Sequence, residues 1–136
     1  MADKVEFELV SPERLILSQA VDMVVVPGSE GDFGVLPGHS LLLSTVRPGV
    51  IAVHNDGAVR ARIFVGGGFA EVTPERCTVL ADEAVPVQDI DRAKVESSLK
   101  DLRDDLADAT TDAERAAVTR RIQIAEAMLA AAGSAA

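Results

Sequence analysis

The sequence predicts an all-β domain followed by a pair of α-helices, and three observations carry that prediction. Up to about residue 86, apolar residues recur at every second position in short runs. Turn signals built from Gly and Pro separate those runs at close intervals. From about residue 89 the period changes, and apolar residues recur three and four positions apart. The expected division is a β-sandwich domain over residues 1–86 and a helical hairpin domain over 87–136.

The strands follow in order. "VEFELV" (5–10) sets Val5, Phe7 and Leu9 against Glu6 and Glu8, the alternation of a half-buried strand. Further strand patterns are "RLILS" (14–18), "AVDMVVV" (20–26), "FGVL" (33–36) and "LLLSTV" (41–46). "GVIAVH" (49–54), "AVRARIFV" (58–65), "GFAEV" (68–72) and "RCTVLA" (76–81) complete the set. Roughly nine or ten short strands so punctuated argue a sandwich or flattened barrel. Asp56-Gly57, between two strand patterns, is the clearest hairpin signal. "VGGGFAEV" (65–72) lacks the Lys-Ser/Thr ending of a phosphate loop, and a close backbone crossing or bulge explains it better. "VPGSEGDFGVLPGHS" (26–40) reads as connected tight turns, with a glycine-framed tip at "SEGDFG".

In the second region Val95, Leu99, Leu102, Leu106 and Ala109 form one apolar stripe. Val118, Ile122, Ala125, Leu129 and Ala132 form another at the same spacing. Thr111 and Glu114 make a capping box that restarts the helix after a short link, so the two helices should pack antiparallel. The seam is rich in Ala, which buries little area, and the hairpin should be marginally stable alone. "AAAGSAA" (130–136) is expected to be a frayed tail.

Composition narrows the function. The 136 residues are 48% apolar but only 3% aromatic, so the core must be aliphatic. A phosphate backbone calls for a basic face, and a net charge of −9 argues against a nucleic-acid partner. No run approaches the roughly 20 apolar residues of a membrane span, so direct lipid insertion is not expected. The opening "MADKVEFELV" is polar and then alternating, unlike a signal or transit peptide. Cys77 lies in an apolar run and reads as a buried, inert thiol. His54 reads as a half-exposed strand residue, and neither it nor His39 has ligands at metal spacing. Ser40 beside His39 implies no nucleophile–base geometry. No catalytic constellation, metal site or cofactor site emerges.

The blocks "VSPER" (10–14), "VPGSEGDFGVLPGHSLLLSTVRPGV" (26–50), "VGGGFAEV" (65–72) and "TVLADEA" (78–84) lie in this order. With the helical pair, they resemble the epsilon subunit of the F-type ATP synthase, bacterial type. The resemblance implies a ten-stranded β-sandwich followed by an antiparallel two-helix hairpin, in a non-catalytic rotor subunit of the central stalk. The sandwich would link the gamma subunit to the polar loops of the c-ring. The "SEGDFG" tip, with Glu30, Gly31, Asp32 and Phe33, would meet the c-ring. Ser11, His39, Leu42 and Ser44 would meet gamma. The complex would lie at the cytoplasmic face of a bacterial inner membrane.

In the family the helices either fold down on the sandwich or rise along gamma toward the alpha/beta catalytic head, and in the raised form they block ATP hydrolysis in some bacteria. Acidic residues outnumber basic ones from residue 89 onward, which predicts weak inhibition here. Some members bind ATP through an Ile/Leu-Asp-x-x-Arg-Ala motif, which makes Asp91, Lys94 and Arg121 the candidate nucleotide contacts. Lys94 and Val95 replace the motif's Arg and Ala, and a lysine cannot reproduce the planar guanidinium fork. A nucleotide-sensing module is therefore the alternative reading. An enzyme on a small sandwich is opposed by the lack of a catalytic constellation in the sequence.

Overall fold

The computed structural model describes residues 3–133. Ten strands run in sequence order as β1 (Val5–Val10), β2 (Leu15–Val21), β3 (Met23–Gly28), β4 (Gly31–Val35) and β5 (Leu42–Val46). They continue as β6 (Gly49–Asn55), β7 (Ala58–Val65), β8 (Gly68–Val72), β9 (Arg76–Ala81) and β10 (Ala84–Pro86). One layer orders them β4-β3-β6-β7-β10 and the other β5-β8-β9-β1-β2. The layers join where Gly28 of β3 pairs with Val46 of β5. Every pairing is antiparallel except β1 with β9.

The alternation read from the sequence is the alternation of burial. Val5, Phe7 and Leu9 of β1 are fully buried, and Val24, Val26, Ile51, Val53, Val72 and Val79 join them in one core between the layers. Each such side chain contributes about 1.5–3 kcal/mol relative to exposure. Cys77 belongs to this core, and burial pushes its thiol up to about 12. His54 stands half-buried in β6, as the strand reading expects.

The Asp56-Gly57 turn joins β6 to β7 with Asn55 opposite Ala58, and Asp56 takes a left-handed φ of 54°. The Gly66–Gly68 run is a close crossing. The Gly66 amide donates to the Glu83 carbonyl at 3.0 Å, and the Asp82 amide donates to the Gly67 carbonyl at 3.0 Å. At Gly68, φ is +147° and any Cβ would overlap the Leu80 carbonyl oxygen. Only glycine fits there.

Three strand boundaries differ from the sequence reading. Ala20 and Val21 complete β2 rather than opening β3, because the backbone bends at Asp22. Asp22 is tied on both sides there: its amide donates to the His54 carbonyl, its carboxylate accepts the Asp56 amide at 2.7 Å, and it pairs with Lys4 at 2.9 Å. The hydrogen bond from Lys4 and that from the Asp56 amide hold the Asp22 carboxyl below its ordinary range. The bond to Asp22 in turn raises Lys4. Next, β3 and β4 run beyond the expected limits, into the tip. Finally, β10 is too short to show a period, and its pairing with Ile63, Phe64 and Val65 defines it.

After a 3-10 turn at Val87–Asp89 come α1 (Arg92–Asp108) and α2 (Asp112–Gly133), which form a helical hairpin. Asp91 caps α1, its carboxylate accepting the Lys94 amide at 3.2 Å. Thr111 caps α2 by accepting the Glu114 amide at 3.1 Å. Glu114 reaches back to the amide of Thr110 rather than Thr111, so the capping box closes one residue early. Leu99, Ala125 and Ala131 are buried, whereas Val95, Leu102, Leu106, Val118, Ile122 and Leu129 are only half-buried. Arg103 and Glu126 join the two helices at 3.5 Å. The expected frayed tail begins too early: 130–133 are helical, and 134–136 lie outside the described residues.

Candidate functional site

The tip of the opening loop is a β-hairpin. Strands β3 and β4 pair to their ends, with Gly28 opposite Gly31, leaving Ser29 and Glu30 as the turn. The hairpin is braced against the end of β5. The Ser29 amide donates to the Thr45 carbonyl at 2.9 Å, and the Thr45 hydroxyl donates to the Ser29 hydroxyl at 2.7 Å. Arg47, just past β5, bridges the two strands of the tip. Its guanidinium donates to the Gly28 carbonyl and, through the other terminal nitrogen, to the Asp32 carboxylate, both at 2.5 Å. The Arg47 amide donates to the Pro27 carbonyl at 2.9 Å.

Glu30, Gly31 and Asp32 are exposed at this tip, but Phe33 does not project with them. It pairs with buried Val26, so strand alternation turns its ring inward, where it packs against the core. Gly28 leaves room for that ring, since a Cβ there would lie 2.9 Å from it. Arg47 was not anticipated: "RPG" reads only as turn punctuation, and its reach to Asp32 depends on the join between layers.

A second surface lies on the outward face of the β5-β8-β9-β1-β2 layer. Phe69, Leu80, Val10 and Leu15 face one another in register across four strands. Leu43 and Leu41 extend the apolar surface on and beyond β5, at 63% and 76% exposure. One ion pair, Arg76 with Glu8 at 2.8 Å, sits on the same face, with the Thr78 hydroxyl on Glu8. Monomeric domains seldom leave such a row open to water without a partner.

The residues expected at gamma divide around this face. Ser11 begins the turn after β1, where its amide and Arg14 exchange hydrogen bonds, at the tip end of the sandwich. His39 follows the Leu36–His39 turn at the opposite end, and its Nδ1 donates to the Ser40 carbonyl at 2.7 Å. Leu42 and Ser44 pair with buried Val72 and Ala70, which puts them on the core side of β5. Leu42 packs against the core and is not the outward residue of "SLLLST". Three consecutive leucines hide the phase of the alternation, and pairing with β8 fixes it.

In the hairpin, Asp91 is engaged as the α1 cap. Lys94 and Arg121 are exposed, and among the described residues neither side chain has a hydrogen-bond or ion-pair partner. The structure does not bring the three side chains into a bonded cluster.

Two family models match this protein. The β-sandwich domain of the ATP synthase delta/epsilon chain covers residues 4–87, and the C-terminal domain of the ATP synthase epsilon chain covers 91–136. The chain belongs to the ATP synthase epsilon chain family. The family is an accessory, non-catalytic subunit of ATP synthase. The epsilon chain of Rhodospirillum rubrum is 57% identical over 131 residues, spanning 96% of this chain and 98% of the relative. That of Rhodospirillum centenum is 56% identical, spanning 95% and 92%. A subunit of the Euglena gracilis mitochondrial ATP synthase, in an OSCP/F1/c-ring structure, superposes with a TM-score of 0.81 at 27% identity, over 94% of this chain and 81% of that one. A subunit of the Tetrahymena thermophila central stalk/c-ring structure gives a TM-score of 0.65 at 16% identity, over 96% and 97%, and supports the fold.

Proposed function

We propose that this chain is a central-stalk rotor subunit whose sandwich links the gamma subunit to the polar loops of the c-ring. The observation that carries this reading is an open apolar face adjoining a braced hairpin tip. Gamma would cover the outward row of Phe69, Leu80, Val10 and Leu15 together with Leu41 and Leu43, reaching Ser11 at one end and His39 at the other. The tip, with Glu30, Gly31 and Asp32 outermost and Phe33 anchoring it from within, would meet the c-ring. Torque transmission needs a contact that does not deform, which the hydrogen bonds from Ser29, Thr45 and Arg47 support. The Euglena relative belongs to an OSCP/F1/c-ring assembly, which supports the same reading. No helix among the described residues is long and apolar enough to cross a membrane, in keeping with peripheral attachment through the complex. The cytoplasmic face of a bacterial inner membrane is the proposed site.

The hairpin is proposed to regulate hydrolysis weakly, by rising toward the alpha/beta head. Its excess of acidic side chains offers little attraction to an acidic destination, and exposed ion pairs are worth only about 0–1 kcal/mol each.

Two tests address the two contacts. Cysteines at Glu30 and Asp32 should cross-link to cysteines in the c-subunit loop of the assembled complex; free labelling by a bulky thiol reagent without cross-linking would refute the c-ring contact. Leu43→Asp should weaken gamma binding about tenfold or more while the isolated fold survives. Leu42→Asp should instead destabilise the sandwich. Equal effects of the two on gamma affinity would remove the outward face from the reading.

A further inference from the structure

We propose that Arg47 is a positioning residue for the β3–β4 tip, holding Asp32 and the Gly28 carbonyl so that Glu30 remains the tip's unpaired carboxylate. The proposal rests on the c-ring reading above and assigns separate tasks to the two acidic residues of the tip. Asp32 is committed within the chain, its charge matched by the Arg47 guanidinium at 2.5 Å. Glu30, in the turn itself, is exposed and has no hydrogen-bond or ion-pair partner among the described residues. The net charge offered by the tip is then that of Glu30 alone. The loop it meets should present a cationic or hydrogen-bond-donating side chain, since a second carboxylate there would be repelled.

The arrangement suits an arginine in particular. Its planar fork donates to a carbonyl on β3 and to a carboxylate on β4, tying both legs of the hairpin to the residue after β5. A lysine could reach either acceptor but could not span both with fixed geometry. The pair is 44% and 60% exposed, so its strength should fall with added salt. What it supplies is preorganisation: the tip arrives at its partner already ordered, and the entropy of fixing it is lost on folding rather than on docking.

Hydrogen exchange of the Ser29 amide, which donates to the Thr45 carbonyl, reads the brace directly in the full-length protein. Arg47→Ala and Asp32→Asn should each speed that exchange roughly two- to fivefold. Arg47→Lys should recover part of the protection, and Glu30→Gln should leave it unchanged. Wild-type exchange should quicken with salt, and this salt response should vanish in Arg47→Ala. In the reassembled complex, Glu30→Gln should lower ATP-driven proton pumping. Unaltered Ser29 protection in Arg47→Ala overturns the positioning role, whatever the c-ring contact proves to be. Normal pumping in Glu30→Gln overturns the role given to Glu30. Failure of the c-ring reading itself shows separately, as absent cross-links from position 30 with Arg47 intact.

Discussion

The sandwich and the hairpin both pack aliphatic side chains, yet only the sandwich closes a core. In the sandwich, two layers face each other and seal Val, Leu, Ile and Phe side chains completely, with no polar side chain buried among the described residues. In the hairpin a single seam leaves most of its stripe half-buried, and two of its three buried helical residues are alanines. The difference lies in how many neighbours each geometry supplies: a strand residue meets a facing layer and two flanking strands, a helix residue one partner helix. Tight closure of one region and loose packing of the other thus come from architecture, reinforced by the exchange of Val and Phe for Ala.

The sharpest way to break this comparison is at a glycine. Gly68→Ala combines a forbidden φ with overlap on the Leu80 carbonyl, and should cost about 3 kcal/mol or more, enough to abolish soluble expression or strongly lower the melting temperature. Gly133→Ala, near the end of α2 with open space around it, should be neutral or stabilising by a few tenths of a kcal/mol. Similar losses from both would mean that the two regions do not differ as described.

Core truncation sharpens the same contrast. Phe7→Ala should cost about 3–5 kcal/mol and Leu99→Ala about 2 kcal/mol, read by denaturant midpoint for the first and by amide exchange within α1 and α2 for the second. Deleting residues 89–136 should leave assembly and coupling largely intact. ATP hydrolysis should rise by no more than roughly fivefold, equivalent to about 1 kcal/mol. A tenfold rise would make the hairpin a strong brake and defeat the charge argument.

The smallest effect concerns Lys4 and Asp22. Because the folded protein lowers the Asp22 carboxyl, that interaction stabilises the fold above the ordinary aspartate range and is lost as pH falls through the lowered value. Because it raises Lys4, the matching contribution holds below the ordinary lysine range and is lost only as pH rises through the raised value. Lys4→Met should flatten the acid limb of a melting-temperature profile slightly. An unchanged limb would show that the exposed cluster adds nothing.

Much of this was legible in the sequence, because alternation and turn chemistry are local. The β6–β7 hairpin follows from Asp56-Gly57, and the buried face of β1 from Val5, Phe7 and Leu9. The α2 cap follows from Thr111, whereas Asp91, read only as a candidate nucleotide contact, turns out to cap α1. What escaped is what only pairing decides. Phe33 sits among polar tip residues in the sequence and turns inward through Val26. The run Leu41–Leu42–Leu43 carries no phase until β8 supplies one. Arg47 meets Asp32 across fifteen positions of sequence, at a join no periodicity announces. The outward row of Phe69, Leu80, Val10 and Leu15 is assembled from four strands and has no continuous signature at all.

The parallel pairing of β1 with β9 sets the order of events during synthesis. β2 is at hand within a few residues of β1, but the other edge of β1 is satisfied only when Glu6 meets Arg76 and Val10 meets Leu80. Until the ribosome has released β9, the first strand carries an open edge and an unsealed apolar face, the condition in which nascent polypeptides associate wrongly. Contacts so remote in sequence also slow the search for the native pairing. The hairpin is made last and is built from local contacts, so it can form quickly once released. Aggregation during overproduction should therefore depend on how long β1 waits for β9, and slowing translation between β2 and β9 should worsen it while slowing it through the helices should not.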